Sequence, residues 1–259
     1  MNGLAKNLIH VERILNSVSV EQVWAHHLAN MQEFGFDRVI YTSTRFRNSG
    51  LFGDLAEAVV MTNHDRDYIK TFTNEGLYRY SPTTPWLKAN IGAISWRIIA
   101  ARFRADDLSD GEKRVKALYA KWNMTAGYSI GLNRLDNRNS GVVGLTACQG
   151  LTQDDADAIW QDSGAQIILL NNLMHLRIST LPNALQNPLL TTRQLEVLRL
   201  VADGKSNLDI VAILEIALGT VEKHLRMARE ALNVDTTAQA VLKASLNNQL
   251  FLQENYAVR

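Results

Sequence analysis

Three cations, Lys223, Arg226 and Arg229, stand within seven residues of the stretch "SNLDIVAILEIALGTVEKHLRMAREAL". On a 3.6-residue wheel Val221, Leu225, Ala228 and Leu232 share one face, while Glu222, Lys223, Arg226 and Glu230 point away from it and His224 and Arg229 lie at the flanks. A solvated helix face is the ordinary meaning of mixed charge, but cations gathered on one side of one helix are what contacts to phosphates and base edges require. An arginine pairs with guanine, and a glutamate accepts from cytosine N4. Two other spacings advertise different chemistry. "GYSIG", Gly127 to Gly131, fits the G-x-S-x-G of serine hydrolases, and "DGKS" fits the close of a phosphate loop. The hydrolase pattern needs a strand, a sharp turn and then a helix, whereas Ser129 sits in an alternating strand pattern followed by the polar "NRLDNRN". The phosphate loop needs a glycine five residues before Gly204, where Arg199 stands. No catalytic residues are assigned, and the chain is not expected to be an enzyme.

The rest of the chain limits what those cations can meet. Across 259 residues the net charge is only +1, and from Leu189 to Asn247 seven Lys and Arg balance seven Asp and Glu, so any polyanion must be met locally. Hydrophobic residues make up 46%, enough for a real core. The N-terminal "MNGLAKNLIHVERILNS" carries no apolar run of signal-peptide length, and no segment is long enough to span a bilayer. A cytoplasmic protein without a membrane partner is expected. The single cysteine, Cys148, reads as a small buried hydrophobe, and the six histidines have no metal-site spacing; no metal and no cofactor are assigned.

The elements that would position these residues follow from caps and periodicity. "SVEQVWAHHLANMQEF" opens with Ser19 and Gln22 at capping-box spacing and places Val20, Trp24, Leu28 and Met31 at helical intervals. "DRVIYTSTR" and "AGYSIGLNRL" alternate as strands, and "NRLDNRNSGVVGLTA" reads as a polar turn and another strand. Thr152 and Asp155 open a helix whose Ile167, Ile168, Leu169, Leu170, Leu173 and Met174 cover more than one face, to be buried within one subunit or against a second copy. "PNALQNP" is the best linker, so the chain is cut into a first domain, 1–177, a linker, 178–188, and a second domain, 189–250. After the cut, Thr191 with Gln194 and Ser206 with Asp209 open two helices, Gly204 closes the first, and Thr220 to Leu232 and Thr237 to Asn247 form two more. Two helices joined by a tight turn are the helix-turn-helix plan, whose second member enters the major groove.

"LTTRQLEVLRLVADGKSNLDIVAILEIALGTVEKHL" resembles the DNA-binding domain of LuxR-type transcription regulators through Leu190, Thr191, Arg193, Glu196, Val197, Leu198, Gly204, Lys205, Ser206, Ile210, Thr220, Val221, His224 and Leu225. The resemblance implies that Glu222 and Arg226 reach base edges, and that Lys205, Thr220, Lys223 and His224 serve backbone contacts. With Arg229 these are the candidate DNA-binding residues. Gln194 replaces an acidic residue of the pattern, and Ala217 stands where a capping serine is common.

"YIKTFTNEGLYRYSPTTPWLKANIGAISW" is similar to the autoinducer-binding domain of the quorum-sensing branch, whose pattern is W-x3-Y-x8-D-P and a later tryptophan. Tyr68, Phe72, Ser81, Pro82 and Trp96 take those positions with every spacing intact, and Gly127 fits a glycine that opens a strand. The resemblance implies an α+β first domain, an α/β/α sandwich on a five-stranded antiparallel sheet, with the ligand between sheet and helices, and an all-α helix-turn-helix second domain. It implies an acyl-homoserine lactone or related apolar small molecule as the signal. Relatives hold the amide N–H with the aspartate and the lactone with the tryptophan, so Ser81 and Phe72 make this pocket more apolar and open it to a longer, less polar or different molecule. His64, Ser129 and Thr146 complete the candidate ligand-binding set as further polar groups; the ordinary reading of each is a satisfied core residue, and for His64 and Ser129 that reading is favoured.

The expected partners are then an inverted-repeat DNA operator, the small-molecule signal and a second copy of the chain, with RNA polymerase as a further partner the family reading allows. The homodimer would form through the Ile159 to Leu176 helix and the last helix of the second domain. The alternative is a regulator that dimerises without a lactone or binds a different molecule.

Overall fold

The computed structural model describes residues 3–44, 58–133, 140–181 and 190–250. The chain forms two compact units, Met1–Arg177 and Ile178–Arg259.

The first unit begins with helices α1 (Gly3–Asn16) and α2 (Val20–Glu33) and strands β1 (Phe36–Thr44) and β2 (Ala58–Thr62). The short helix α3 (Arg66–Ile69) runs into a π-helical turn over Lys70–Asn74, a 3-10 turn follows over Leu77–Tyr80, and then α4 (Thr84–Ala89), β3 (Gly92–Ser95), α5 (Arg97–Arg102) and α6 (Asp110–Lys121). Strands β4 (Gly127–Gly131) and β5 (Ser140–Ala147) and the long helix α7 (Gln153–Thr180) complete it. The strands form one sheet in the order β2-β1-β5-β4-β3, and every neighbouring pair is antiparallel. Alternation along the strands divides their side chains between two faces. Tyr41 and Tyr128 face α7, the first bonded to His175 at 2.8 Å and the second stacked on Trp160 at 3.9 Å between centroids. Ile40, Thr42, Ser129 and Gly144 face the opposite way, toward α3 to α6, where Tyr68, Leu77, Trp96, Ile99, Val115, Leu118, Tyr119 and Met124 form one buried cluster. This is a helix layer on each side of an antiparallel sheet.

Local signals explain the helix starts. The Ser19 hydroxyl accepts the Gln22 N–H, and the Thr152 hydroxyl accepts the Asp155 N–H while Asp155 takes the Thr152 N–H in return. The buried stripe of α2 differs from the apolar spacing: Val20, Val23, His27, Asn30 and Met31 are buried, while Trp24 and Leu28 are only half-buried. For His27 a hydrogen bond is the reason, since it donates from Nε2 to Asn171 Oδ1 of α7 at 3.1 Å. On α7, Ile167, Leu170 and Met174 are buried, but Leu169 and Leu176 are exposed. Cys148 is half-buried rather than buried, and burial still pushes its thiol pKa up.

The second unit holds α8 (Thr192–Ala202), α9 (Asn207–Leu214), α10 (Leu218–Leu232) and α11 (Thr237–Leu246) around Leu190, Val197, Leu198, Ile210, Val221, Leu225, Ala228, Leu232, Ala240 and Ala244. Thr191 with Gln194, Ser206 with Asp209 and Thr236 with Gln239 each form a reciprocal capping box. Gly204 takes φ +80, the left-handed conformation that ends α8. Helix α10 starts two residues earlier than Thr220, with Ala217 at its N-cap and no side-chain cap. The linker of the sequence reading is shortened, because Ile178 to Thr180 are the last turn of α7; its remainder from Pro182, like the polar turn at 134–139, lies outside the described residues.

Candidate functional site

Between the sheet and helices α3 to α6 lies a cavity of about 70 Å³. Its floor is Ile40, Thr42, Val60, Ser129, Val142 and Gly144 from the sheet, and its walls include Tyr68, Phe72, Tyr78, Trp96 and Tyr119. The walls are held by ring contacts: Tyr68 stacks on Phe72 at 5.4 Å, and Trp96 stacks on Tyr119 at 6.3 Å. The π-helical turn begins two residues after Tyr68 and contains Phe72, an irregularity of a kind that often accompanies function.

The polar groups at the cavity form two short relays. In one, the Tyr119 hydroxyl donates to Ser81 Oγ at 3.2 Å, and Ser81 shares a hydrogen with Thr83 Oγ1 at 3.2 Å. In the other, Trp96 Nε1 donates to Ser129 Oγ at 2.9 Å. Burial pushes the Tyr119 pKa up to about 12 and that of Tyr68 well above the usual tyrosine range, so both rings stay neutral phenols.

Tyr68, Phe72, Ser81, Trp96 and Ser129 therefore share one cavity, and four other sequence candidates stand behind it. Pro82 sits inside a turn closed by the Thr84 N–H on the Ser81 carbonyl at 2.9 Å, which aims Ser81, Thr83 and Thr84 inward. Gly127 makes room: a Cβ there would stand 2.1 Å from the Leu145 carbonyl oxygen and 3.0 Å from the Trp96 ring. His64 packs behind Tyr68 with ring centroids 4.9 Å apart, and burial lowers its pKa to about 4. Thr146 is on the cavity side of β5 but pairs with Arg38 and Gly127, beyond Gly144. The Trp96 N–H, which the resemblance assigns to a ligand head group, is donated to Ser129 Oγ in this structure. Sequence reading missed Tyr78, Thr83, Thr84 and Tyr119. Ser129 also lies in mid-strand, paired with Ile94 on one side and Gly144 on the other, and not at the strand-to-helix turn that a hydrolase nucleophile needs.

In the second unit a cleft between α8, α9, α10 and the start of α11 collects Lys205, Ser206, Asn207, Gly219, Glu222, Lys223, Arg226 and Arg229. Arg226 and Glu230 lie 3.7 Å apart as an exposed i,i+4 pair. Such a pair contributes about 0.3 to 0.5 kcal/mol, so the guanidinium leaves it at little cost. Arg229 is half-buried and donates to Thr237 Oγ1 at 3.0 Å, which ties it to α11. Thr220 and His224 are half-buried and do not line the cleft, because the turn of the helix carries them toward another side. Ser206, Asn207 and Gly219 are additions that only the approach of α9 to α10 reveals.

Comparison with known proteins agrees with both halves. Residues 19–178 match the autoinducer binding domain, and residues 188–244 match the bacterial regulatory proteins of the luxR family. The chain is 26% identical over 211 residues to the HTH-type quorum sensing-dependent transcriptional regulator RpaR of Rhodopseudomonas palustris, covering 81% of each chain. It is 22% identical over 191 residues to the transcriptional activator protein LuxR of Aliivibrio fischeri, covering 74% of each. The structure of SdiA in complex with octanoyl-rac-glycerol shares the fold at 17% identity and a TM-score of 0.51, over 98% of this chain and 99% of that one. The aromatic cavity in an α+β unit, the helix-turn-helix unit and these matches together place the chain in the LuxR family of quorum-sensing transcription regulators that carry an autoinducer-binding domain.

Proposed function

We propose that this regulator senses an acyl-homoserine lactone or a related apolar signal in the cavity of its first unit and binds an inverted-repeat operator as a homodimer through α10. The observation that carries the reading is the cavity itself, with aromatic walls and a few inward hydroxyls, the composition that suits an acyl chain and a small polar head group. Exposed Leu169 and Leu176 on α7, seven residues apart on one face, and exposed Leu242 on α11 support pairing with a second copy. No helix among the described residues is long and apolar enough to cross a membrane. A cytoplasmic site of action, where the operator and RNA polymerase are met, fits this reading.

The test is thermal unfolding of the full chain with and without acyl-homoserine lactones of graded chain length. At a ligand concentration one hundred times Kd, binding to the folded state stabilises by about 2.7 kcal/mol, and the midpoint should rise accordingly. If no member of the series moves the midpoint, the lactone reading is wrong, and a ligand-independent dimer or a different small molecule takes its place.

On the DNA side, Glu222, Lys223 and Arg226 are exposed along the cleft, with Lys205 at its α9 end. Arg226→Ala should cost roughly 1 to 3 kcal/mol of operator binding and relax one base position, whereas Lys223→Ala should weaken all sequences alike and lower the salt slope by about 1. Mobility shifts on operator variants at several salt concentrations separate the two. Unchanged affinity for Arg226→Ala would remove α10 from the groove.

A further inference from the structure

Among the described residues, those lining the cavity include no carboxylate, ammonium, guanidinium, imidazole or carboxamide; its polar side chains are hydroxyls and the one indole N–H. Six of those hydroxyls, on Thr73, Ser81, Thr83, Thr84, Tyr119 and Ser129, take part in hydrogen bonds at the cavity. Thr73 and Thr84 donate theirs to the backbone carbonyls of Ile69 and Tyr78, both at 2.7 Å. Tyr119, Ser81 and Thr83 bring three hydroxyl hydrogens, spend one from Tyr119 to Ser81 and one between Ser81 and Thr83, and keep the third. Ser129 takes the Trp96 hydrogen into its oxygen and keeps its own to give. Each relay thus ends in an O–H donor, and each donor is strengthened by the hydrogen bond arriving at its oxygen. The high pKa that burial imposes on Tyr119 keeps it a donor. The other polar groups of the lining, Thr42, Tyr68 and Tyr78, are hydroxyls as well, so a ligand group that brings its own N–H finds only hydroxyl lone pairs, some already engaged. A group that brings carbonyl oxygens finds at least the two donors at the ends of the relays.

We propose that the signal is a neutral acyl ester or ketone with no N–H in its head group, bound at least as well as the N-acyl amide of the same chain. The proposal rests on the reading above that this cavity is the signal site. Ser81 with Thr83 offers one donor and Ser129 the other, each to a carbonyl oxygen, while the acyl chain lies along Phe72, Val60 and Leu87. Amide and ester are told apart here by what they lack: the ester loses nothing by having no hydrogen, and the amide buries one for which the lining offers hydroxyl lone pairs but no carboxylate or carboxamide.

The deciding experiment measures calorimetric Kd values on the full chain for matched pairs of probes, an N-acyl homoserine lactone and the 2-acyloxy-butyrolactone of equal chain length, which exchanges only N–H for oxygen. For the parent the ester Kd should lie below the amide Kd or within about threefold of it. In Ser81→Asp, which adds a fixed acceptor, the amide should gain an advantage of about tenfold, equal to about 1.4 kcal/mol. Ser81→Asn offers a carbonyl acceptor without burying a charge and should move selectivity the same way, which keeps the test open should the aspartate variant fold poorly. An amide preference beyond about threefold in the parent overturns the proposal, as does a selectivity that neither variant moves. If the parent binds neither probe at any chain length, the assignment of the cavity as a signal site itself fails, an outcome distinct from binding with the opposite preference.

Discussion

Moving the protein from about pH 8 to about pH 5 should remove roughly 6 kcal/mol from the stability of the first unit. Three buried histidines carry the effect. Burial is the largest cause in each: it lowers His10 to about 4, His27 to about 3 and His64 to about 4, with His26 adding to the shift of His10, His10 to that of His27 and Arg38 to that of His64. All three are less than a tenth exposed. Their folded values lie below the 6.5 of an unfolded chain, so as the pH falls through 6.5 the unfolded state takes up protons that the folded state refuses. Stability is therefore complete above about pH 6.5, falls as the pH drops, and levels off below the folded values. At about pH 5 each histidine has cost about 2 kcal/mol, and the sum is comparable with the whole stability of many domains. Carboxylates act in the same direction lower down; Glu112, held at about 2 chiefly by Arg102 and also by Ser109, contributes only as the pH falls below its unfolded value of 4.5. Urea unfolding of the first unit, followed by tryptophan fluorescence at several pH values, measures the slope. His27→Gln, which cannot titrate and can still donate to Asn171, should flatten it by about a third. A denaturation midpoint that is the same at about pH 8 and about pH 5 would refute the assignment.

Those histidines show where the sequence is legible and where it stops. Caps are local, so Ser19, Thr152, Thr191 and Ser206 could be read directly, and so could strands β1 and β4 by alternation and β5 as the run after a polar turn. Strands β2 and β3 went unread because they are five and four residues long and lie at the two edges of the sheet, where pairing rather than pattern makes the strand. The cavity was half legible. Tyr68, Phe72, Ser81 and Trp96 came from a spacing pattern, but Tyr119 reads as one more apolar position of α6 beside Val115 and Leu118, and nothing local tells that its hydroxyl meets Ser81, 38 residues away. The helix itself had a signal, the capping box of Ser109 and Glu112. Long-range partners also changed the roles of residues already found: Ser129 takes the Trp96 donor, and Thr237 takes Arg229. Residue type and spacing supply candidates, and the folded contacts decide which hydrogen is left to give.

Trp96→Ala should be the most damaging single change to signal binding, raising Kd about a hundredfold, or close to 3 kcal/mol. The indole is 5% exposed, stacks on Tyr119, lies over Gly127 and donates to Ser129, so its removal opens a wall and ends a relay together. Ring loss should also cost the unit about 3 to 5 kcal/mol of folding stability, and binding must be measured at a temperature where the variant is still folded. Trp96→Phe separates the two contributions. It keeps an aromatic wall but no longer donates, leaving Ser129 without its incoming hydrogen, and should weaken binding by about 1 kcal/mol, or roughly fivefold. Ser129→Ala asks the reverse question, since the wall stays and the indole N–H loses its acceptor. If that N–H then turns to the ligand, Ser129→Ala should be milder than Trp96→Ala by at least about tenfold. Calorimetry with whichever acylated probe stabilises the parent gives the ranking, and circular dichroism confirms that each variant is folded. A Trp96→Ala protein that is folded and binds the probe within about threefold of the parent would place the signal away from this cavity.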